Sequence, residues 1–319
     1  MVELVNGIRR VTFALPFGID HVHCYFLPSS SGGWTLVDTG LGTRDAEERW
    51  RPALDALDGR VERIVVSHMH PDHVGGARDV AGLTGAPVIQ GREDYAQCVQ
   101  AWGERNPQRF LDYWVSNGIP EHEVAGIMRE SERLSAAVHW VRDPELVDSG
   151  DEIDGWRVEV LRGHADGHIV LLRDGVMIAG DTILAGITPA IGLYPNSRPD
   201  PLGDYLETLQ RIVELNPRVA YAGHKDPIED PAGRATEIIE HHRERLNGAA
   251  AALDGRPLSA YEVSLALFER QLSPTLRRFA TAESLAHLER LVRDGRAERA
   301  GGGYVRASAA ALPDSSRIP

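Results

Sequence analysis

At 319 residues with 42% hydrophobic content, the chain is long enough for about two domains with sizeable cores. Two cysteines exclude a disulfide scaffold, no apolar run approaches membrane-spanning length, and the N-terminal segment lacks the apolar core and cleavage site of an export signal. The expected location is the cytoplasm, and a net charge of −13 opposes any general affinity for nucleic acid.

In chain order, an early strand carries His21, His23 and Cys24. Cys24 reads as a core residue, and the two histidines, spaced by two, share one face. They serve either a site or the sheet itself, as satisfied polar groups. Leu36-Val37-Asp38-Thr39-Gly40 follows, an apolar strand closed by an aspartate that needs a partner, or that merely opens the turn at Gly40-Leu41-Gly42. Val61–Val66 is a β-branched strand, and Asp72–Leu83 a helix broken at Gly75-Gly76. Between them lies Ser67-His68-Met69-His70-Pro71-Asp72-His73, three imidazoles and a carboxylate on one strand-to-helix turn. Imidazole with carboxylate suits zinc and similar divalent metals, whereas calcium or magnesium sites are built from oxygen alone.

Residues 93–144 change to a helical pattern and hold three of the six tryptophans, Trp102, Trp114 and Trp140. Such aromatic helices either wall a substrate cleft or glue the insert to its surroundings. Three further strands then end in potential ligands. Arg157–Leu161 leads to Gly163-His164-Ala165-Asp166-Gly167-His168, Gly175–Ala179 to Gly180-Asp181, and Arg218–Ala222 to Gly223-His224. A glycine precedes each candidate, as expected where backbone turns sharply beside a crowded site. With the first cluster these supply six imidazoles and two carboxylates, one donor more than two zinc ions sharing a carboxylate need.

Beyond His224, residues 235–252 form a charged helix whose adjacent His241 and His242 are expected to be solvated. Ser259–Phe268 and Ala282–Val292 show helical apolar spacing, and Ala297–Arg306 reads as a hairpin with a glycine tip. Residues 257–319 carry nine Arg against seven Asp or Glu, while the rest of the chain carries 25 basic and 40 acidic residues. Arg290 and Arg293 face Glu283, Glu289 and Asp294 on the second helix, so packing or homodimerisation is expected of this tail rather than nucleic-acid binding.

The ligand pattern resembles that of the metallo-β-lactamase superfamily, His-x-His-x-Asp-His followed by a distant His, a bridging Asp and a last His. The resemblance spans residues from about 10 to 230. It implies an α/β fold with an αββα sandwich at 1–234, on which the helical insert at about 93–144 is an elaboration, while the helices and hairpin within 235–319 resemble a small winged-helix-like domain. It implies that His68, His70 and His164 hold one metal and Asp72, His73 and His224 a second, with Asp181 bridging. Two divalent ions are expected, zinc first, with iron or manganese as alternatives. Gly163–His168 resembles a stretch of glyoxalase II in which the first histidine is the ligand, leaving His168 as a buried hydrogen-bonding residue. Asp38 then falls in an element that supports a ligating histidine from outside the metal shell, whose free N–H needs an acceptor. The early hairpin is placed under the active site, and Lys225 stands where relatives carry glycine.

The activity so implied is a cytoplasmic, binuclear glyoxalase II-like hydrolase. Metal-activated hydroxide attacks a small thioester, acyl ester or lactone, with Asp72 and Asp181 orienting the nucleophile or relaying its proton. Neither nucleic acid nor membrane is an expected partner. The alternatives are a single-strand ribonuclease, since such a tail accompanies a branch that includes one, a β-lactamase, a mononuclear iron dioxygenase, and a metal-stabilised binding module. No ligand of the pattern is missing, which disfavours the last.

Overall fold

The computed structural model describes residues 1–307 except Phe17, Glu104, Arg105, Glu269 and Arg270. Two compact units are assembled from interleaved segments. The first comprises Met1–Arg105, Glu132–Pro189 and Gln210–Ala235; the second comprises Asn106–Ser131, Ala190–Leu209 and the chain from Thr236 onward. The helical stretch expected as one insert is therefore divided, its middle belonging with the second unit.

In the first unit a seven-stranded sheet follows chain order: β1 (Val2–Glu3), β2 (Arg9–Ala14), β3 (His21–Pro28), β4 (Trp34–Val37), β5 (Val61–Val66), β6 (Val88–Gly91) and β7 (Glu145–Val147). Strands β1 to β4 pair antiparallel and β4 to β7 parallel. A second sheet contains β8 (Glu152–Ile153), β9 (Trp156–Val160), β10 (Ile169–Arg173), β11 (Val176–Gly180) and β12 (Val219–Ala222), ordered β12-β11-β10-β9-β8. Only its β11–β12 pair is parallel.

The two sheets face each other across a core in which Tyr25, Val37, Val65 and Ile89 meet Trp156, Val158, Ile169 and Ile178. The outer face of the first sheet buries Phe26, Leu36, Ile64 and Val66 against Trp50, Val80 and Cys98. Those last three lie on α1 (Ala46–Asp55), α3 (Ala77–Thr84) and α4 (Arg92–Trp102), while α2 (Pro71–Val74) is the short helix of the histidine turn. Strands buried on both faces read as continuous apolar runs, which is why Val61–Val66 was so legible. Cys24 is fully buried on β3, as expected.

The helices continue with α5 (Pro107–Ser116), α6 (Glu121–Ser135), α7 (Pro201–Leu215), α8 (Pro231–Ala252), α9 (Ala260–Leu267) and α10 (Pro274–Arg293), followed by β13 (Ala297–Ala300) and β14 (Gly303–Arg306). The expected hairpin forms, turning through Gly301 and Gly302, both at positive φ (57° and 78°). In the second unit Trp114, Ile119, Val124 and Ile127 pack with Ala282, so Trp114 is core and not a substrate wall. Two expectations are corrected here. Helix α10 begins at Pro274 rather than near Ala282, with Ser273 capping the N–H of Leu276. His242 is fully buried, not solvated, with Tyr205 edge-on and His287 Nε2 3.2 Å from its Nδ1. Among the described residues no helix is long and apolar enough to cross a membrane.

Candidate metal centre

Every expected donor sits just past a strand of the first unit. His68 and His70 leave β5, Asp72 and His73 lie on α2, and His164, Asp181 and His224 follow β9, β11 and β12. The folded chain gathers them into three overlapping groups, His68/His70/His164, His68/His73/Asp181 and Asp72/His73/His224, with donor atoms within 4.8 Å of one another in each. Asp181 Oδ2 lies 3.1 Å from His224 Nε2, 3.5 Å from His73 Nε2 and 3.8 Å from His164 Nε2, so one carboxylate reaches donors of both expected triads. Asp72 Oδ2 lies 3.3 Å from His224 Nε2.

The glycines show how tightly the backbone is drawn in. A Cβ at Gly223 would lie 2.5 Å from both Asp181 Oδ1 and His73 Cε1, and one at Gly180 (φ 48°) 2.6 Å from His168 Nε2.

Hydrogen bonds orient the donors. Asp38, at φ 64°, accepts from the Ser67 N–H, the Ser67 hydroxyl and His73 Nδ1–H, each at 2.8 Å. It thereby holds Nε2 of His73 toward the cluster. His168 belongs to none of the three groups. Its Nε2 accepts the Asp181 N–H at 3.0 Å, its Nδ1 meets the Thr182 hydroxyl at 3.1 Å, and its ring stacks on His68.

The two early histidines, absent from the expected site, hold the turn that presents His224. His224 Nδ1–H donates to the His21 carbonyl at 2.6 Å, the Lys225 N–H donates to His21 Nε2 at 3.0 Å, and His23 Nε2–H donates to the Lys225 carbonyl at 3.0 Å. Lys225 has φ 67°, the conformation a glycine would adopt without cost, and these bonds keep a lysine there. Sequence reasoning also missed Ser67, Asp94 and the anchoring role of Trp102. The signal for Ser67 and Asp94 was weak, a single polar residue beside an apolar strand and another in a charged helix.

The electrostatics separate the two triads. Burial, then the nearby His73 and His168 imidazoles, keep His68 well below its ordinary value, and burial with His164 lowers His70 to about 3. For His224 burial opposes the charge, but Asp181 outweighs it and raises the group to about 10. His73 is raised well above its ordinary value in the same way, burial being outweighed by Asp181, Asp38 and Asp72.

Two buried donor atoms, His73 Nε2 and Asp181 Oδ1, have no hydrogen-bond partner among the described residues. Buried polar atoms are ordinarily satisfied, so unsatisfied nitrogen and carboxylate oxygen converging in a nest of imidazoles fit a borderline divalent metal.

A fold of two facing sheets with a histidine-aspartate centre at their strand ends defines a metal-dependent hydrolase of one well-populated kind. The chain belongs to the metallo-β-lactamase superfamily, whose model matches residues 17–224, and the metallo-β-lactamase-like C-terminal domain matches 246–309. The chain is 27% identical over 308 residues to "Probable metallo-hydrolase YqjP" of Bacillus subtilis, covering 90% of this chain and 92% of that one. A crystal structure of a metallo-β-lactamase family protein from Thermus thermophilus is 36% identical, with a TM-score of 0.83, covering 95% and 99% of the two chains. A hydroxyacylglutathione hydrolase of Methylobacillus flagellatus is 27% identical over 234 residues, 71% of this chain and 74% of its own.

A pH dependence of metal uptake follows from the two sets of histidines. His68 and His70 are neutral at pH 7, whereas His73 and His224 hold protons that an incoming cation must displace. Raised values mean that lowering the pH favours the protonated, metal-free state. If Asp72, His73 and His224 hold a divalent ion, affinity for it should therefore rise about tenfold per displaced proton for each pH unit between about pH 6 and 8, with proton release to the buffer. Zinc competition against a chelator checks this, and an affinity independent of pH over that range contradicts it.

Proposed function

We propose that this metallo-hydrolase cleaves a small thioester, or a related acyl ester or lactone, with two divalent ions, zinc first. The observation that carries the reading is Asp181, a single carboxylate within 3.8 Å of imidazole nitrogens from both triads. His68, His70 and His164 would hold one ion, Asp72, His73 and His224 the other, and Asp181 would serve both. Bound there, divalent ions supply Lewis acidity and acidify water near neutral pH.

The protein's own contribution is positioning and proton handling. The Asp72 carboxylate faces the cluster beside His224 and takes up or returns a proton during acyl transfer. Asp181 orients the nucleophile between the two sets of imidazoles, and His168 keeps its main chain in place. Similarity to a hydroxyacylglutathione hydrolase supports a thioester as the substrate class. The ribonuclease alternative is disfavoured by the tail. Arg290 is paired with Asp200 and Asp294, Arg293 donates to the Pro199 carbonyl, and most of α10 beyond Ala280 is buried, leaving few charges for a phosphate backbone.

The test is a panel of an acyl-glutathione thioester, an acyl-coenzyme A thioester, a lactone, a β-lactam and single-stranded RNA, run with metal-loaded protein at low and moderate salt. Thioester turnover insensitive to salt is expected. RNA cleavage that falls steeply with salt, without thioester turnover, overturns the proposal.

A further inference from the structure

Both loops that carry the first triad are tied to one helix. Met69, between His68 and His70, has its N–H bonded to Asp94 Oδ1 at 2.9 Å and its carbonyl bonded by Trp102 Nε1–H at 2.8 Å. These two groups belong to the peptide planes on either side of Met69, and because each plane is rigid, fixing both sets the relative orientation of the flanking histidines. His68 Nε2 and His70 Nδ1 end 3.0 Å apart. Asp94 is fully buried, and its other oxygen accepts from Gln90 Nε2 at 2.6 Å, so it cannot swing away without orphaning a donor.

The same helix grips the loop of His164. Gln97 Oε1 accepts the Asp166 N–H at 3.0 Å, and Gly167 lies so close that a Cβ there would sit 2.0 Å from the Asp94 nitrogen. Donors to the second triad are held from elsewhere, His73 by Asp38 and His224 by the His21 carbonyl.

We propose that α4 acts as a splint for the first metal position, with Asp94, Gln97 and Trp102 as positioning residues that set the affinity of His68/His70/His164 independently of the second triad. The inference rests on the proposed ligand assignment. It reaches beyond that assignment by making the first position tunable through α4 without change at the second, where the His21 carbonyl supports His224.

The experiment measures zinc affinity of metal-free protein by chelator competition in two backgrounds. Asp72→Ala with His73→Ala and His224→Ala leaves the first triad, and His68→Ala with His70→Ala and His164→Ala leaves the second. In the first background Asp94→Ala and Trp102→Phe should each weaken zinc binding by about 10- to 100-fold, the usual loss when a partner outside the metal shell is removed. In the second background both should change it by less than about threefold. Asp94→Asn keeps a carbonyl acceptor for the Met69 N–H and, with the Gln90 amide turned so that its oxygen accepts the new NH2, should restore affinity to within about threefold of the parent. Should Asp94→Ala fail to fold, Gln97→Ala on a half-buried side chain tests the same selectivity at the other loop. Equal losses in both backgrounds, or none in the first, overturn the splint while leaving the ligand assignment standing. A first background that takes up no zinc overturns the assignment and the splint together.

Discussion

Under the proposed two-ion assignment, replacing Asp181 with alanine is expected to lower bound metal from about two ions per chain to one or none and to cut turnover by about a thousandfold or more. Its Oδ2 lies within 3.8 Å of imidazole nitrogens from both triads, so under the proposed assignment its loss removes a donor from each position at once. The loss should exceed the roughly 10- to 100-fold expected of any supporting residue. Charge matters as well as geometry. In the metal-free protein, burial would push the Asp181 carboxyl up, but His224 and His73 hold it well below its ordinary range, so it is ionised at neutral pH. Asp181→Asn should therefore recover the shape of the site but little of its metal. Elemental analysis beside kinetics on the same preparation makes the measurement. A variant that keeps two ions and normal turnover would show that Asp181 is not shared.

The second large effect is expected at Asp38, through stability first and metal affinity second. Its buried carboxylate receives three donors, and alanine would leave the Ser67 N–H, the Ser67 hydroxyl and His73 Nδ1–H without that acceptor. Removing one member of a buried charged network costs about 3–5 kcal/mol. The left-handed backbone at this position, φ 64°, adds strain for an alanine that an asparagine tolerates better. For a chain of this size the melting temperature should fall by roughly 10 °C in the metal-free protein. Freed of its acceptor, His73 should also bind metal about 10- to 100-fold more weakly. Thermal unfolding of the metal-free variant is decisive, since a drop of less than about 2 °C would mean that the network carries no such load.

What could be read before folding was mostly local chemistry. The run from His68 to His73 announced itself because few structural needs concentrate imidazoles on one turn. The later donors were found because each follows an apolar strand and a glycine, a pattern confined to a handful of consecutive residues. Helix α10 was placed too late in the chain although Ser273-Pro274, a capping residue followed by a first-turn proline, marked its start. Its apolar spacing is diluted because polar residues such as Arg277, Thr281 and Ser284 are buried along with the leucines. His242 was misjudged for a related reason. It lies in the run Glu240-His241-His242-Arg243-Glu244-Arg245, which looks like a solvated face, and only Tyr205 and His287, brought in from other parts of the second unit, bury it.

The sequence by itself marked the candidate donors and the strands that deliver them, because ligand type is set by side-chain chemistry and delivery by a strand and its turn, and its resemblance to a known superfamily supplied the paired-sheet architecture. Tertiary structure alone decided what holds each donor in place. Asp94 reaches Met69 across 25 residues, Asp38 reaches His73 across 35, and the His21 carbonyl meets His224 across 203. Hydrogen bonds of that reach leave no periodic trace in the chain, since a lone aspartate or histidine becomes a support only when folding sets it against the donor it orients.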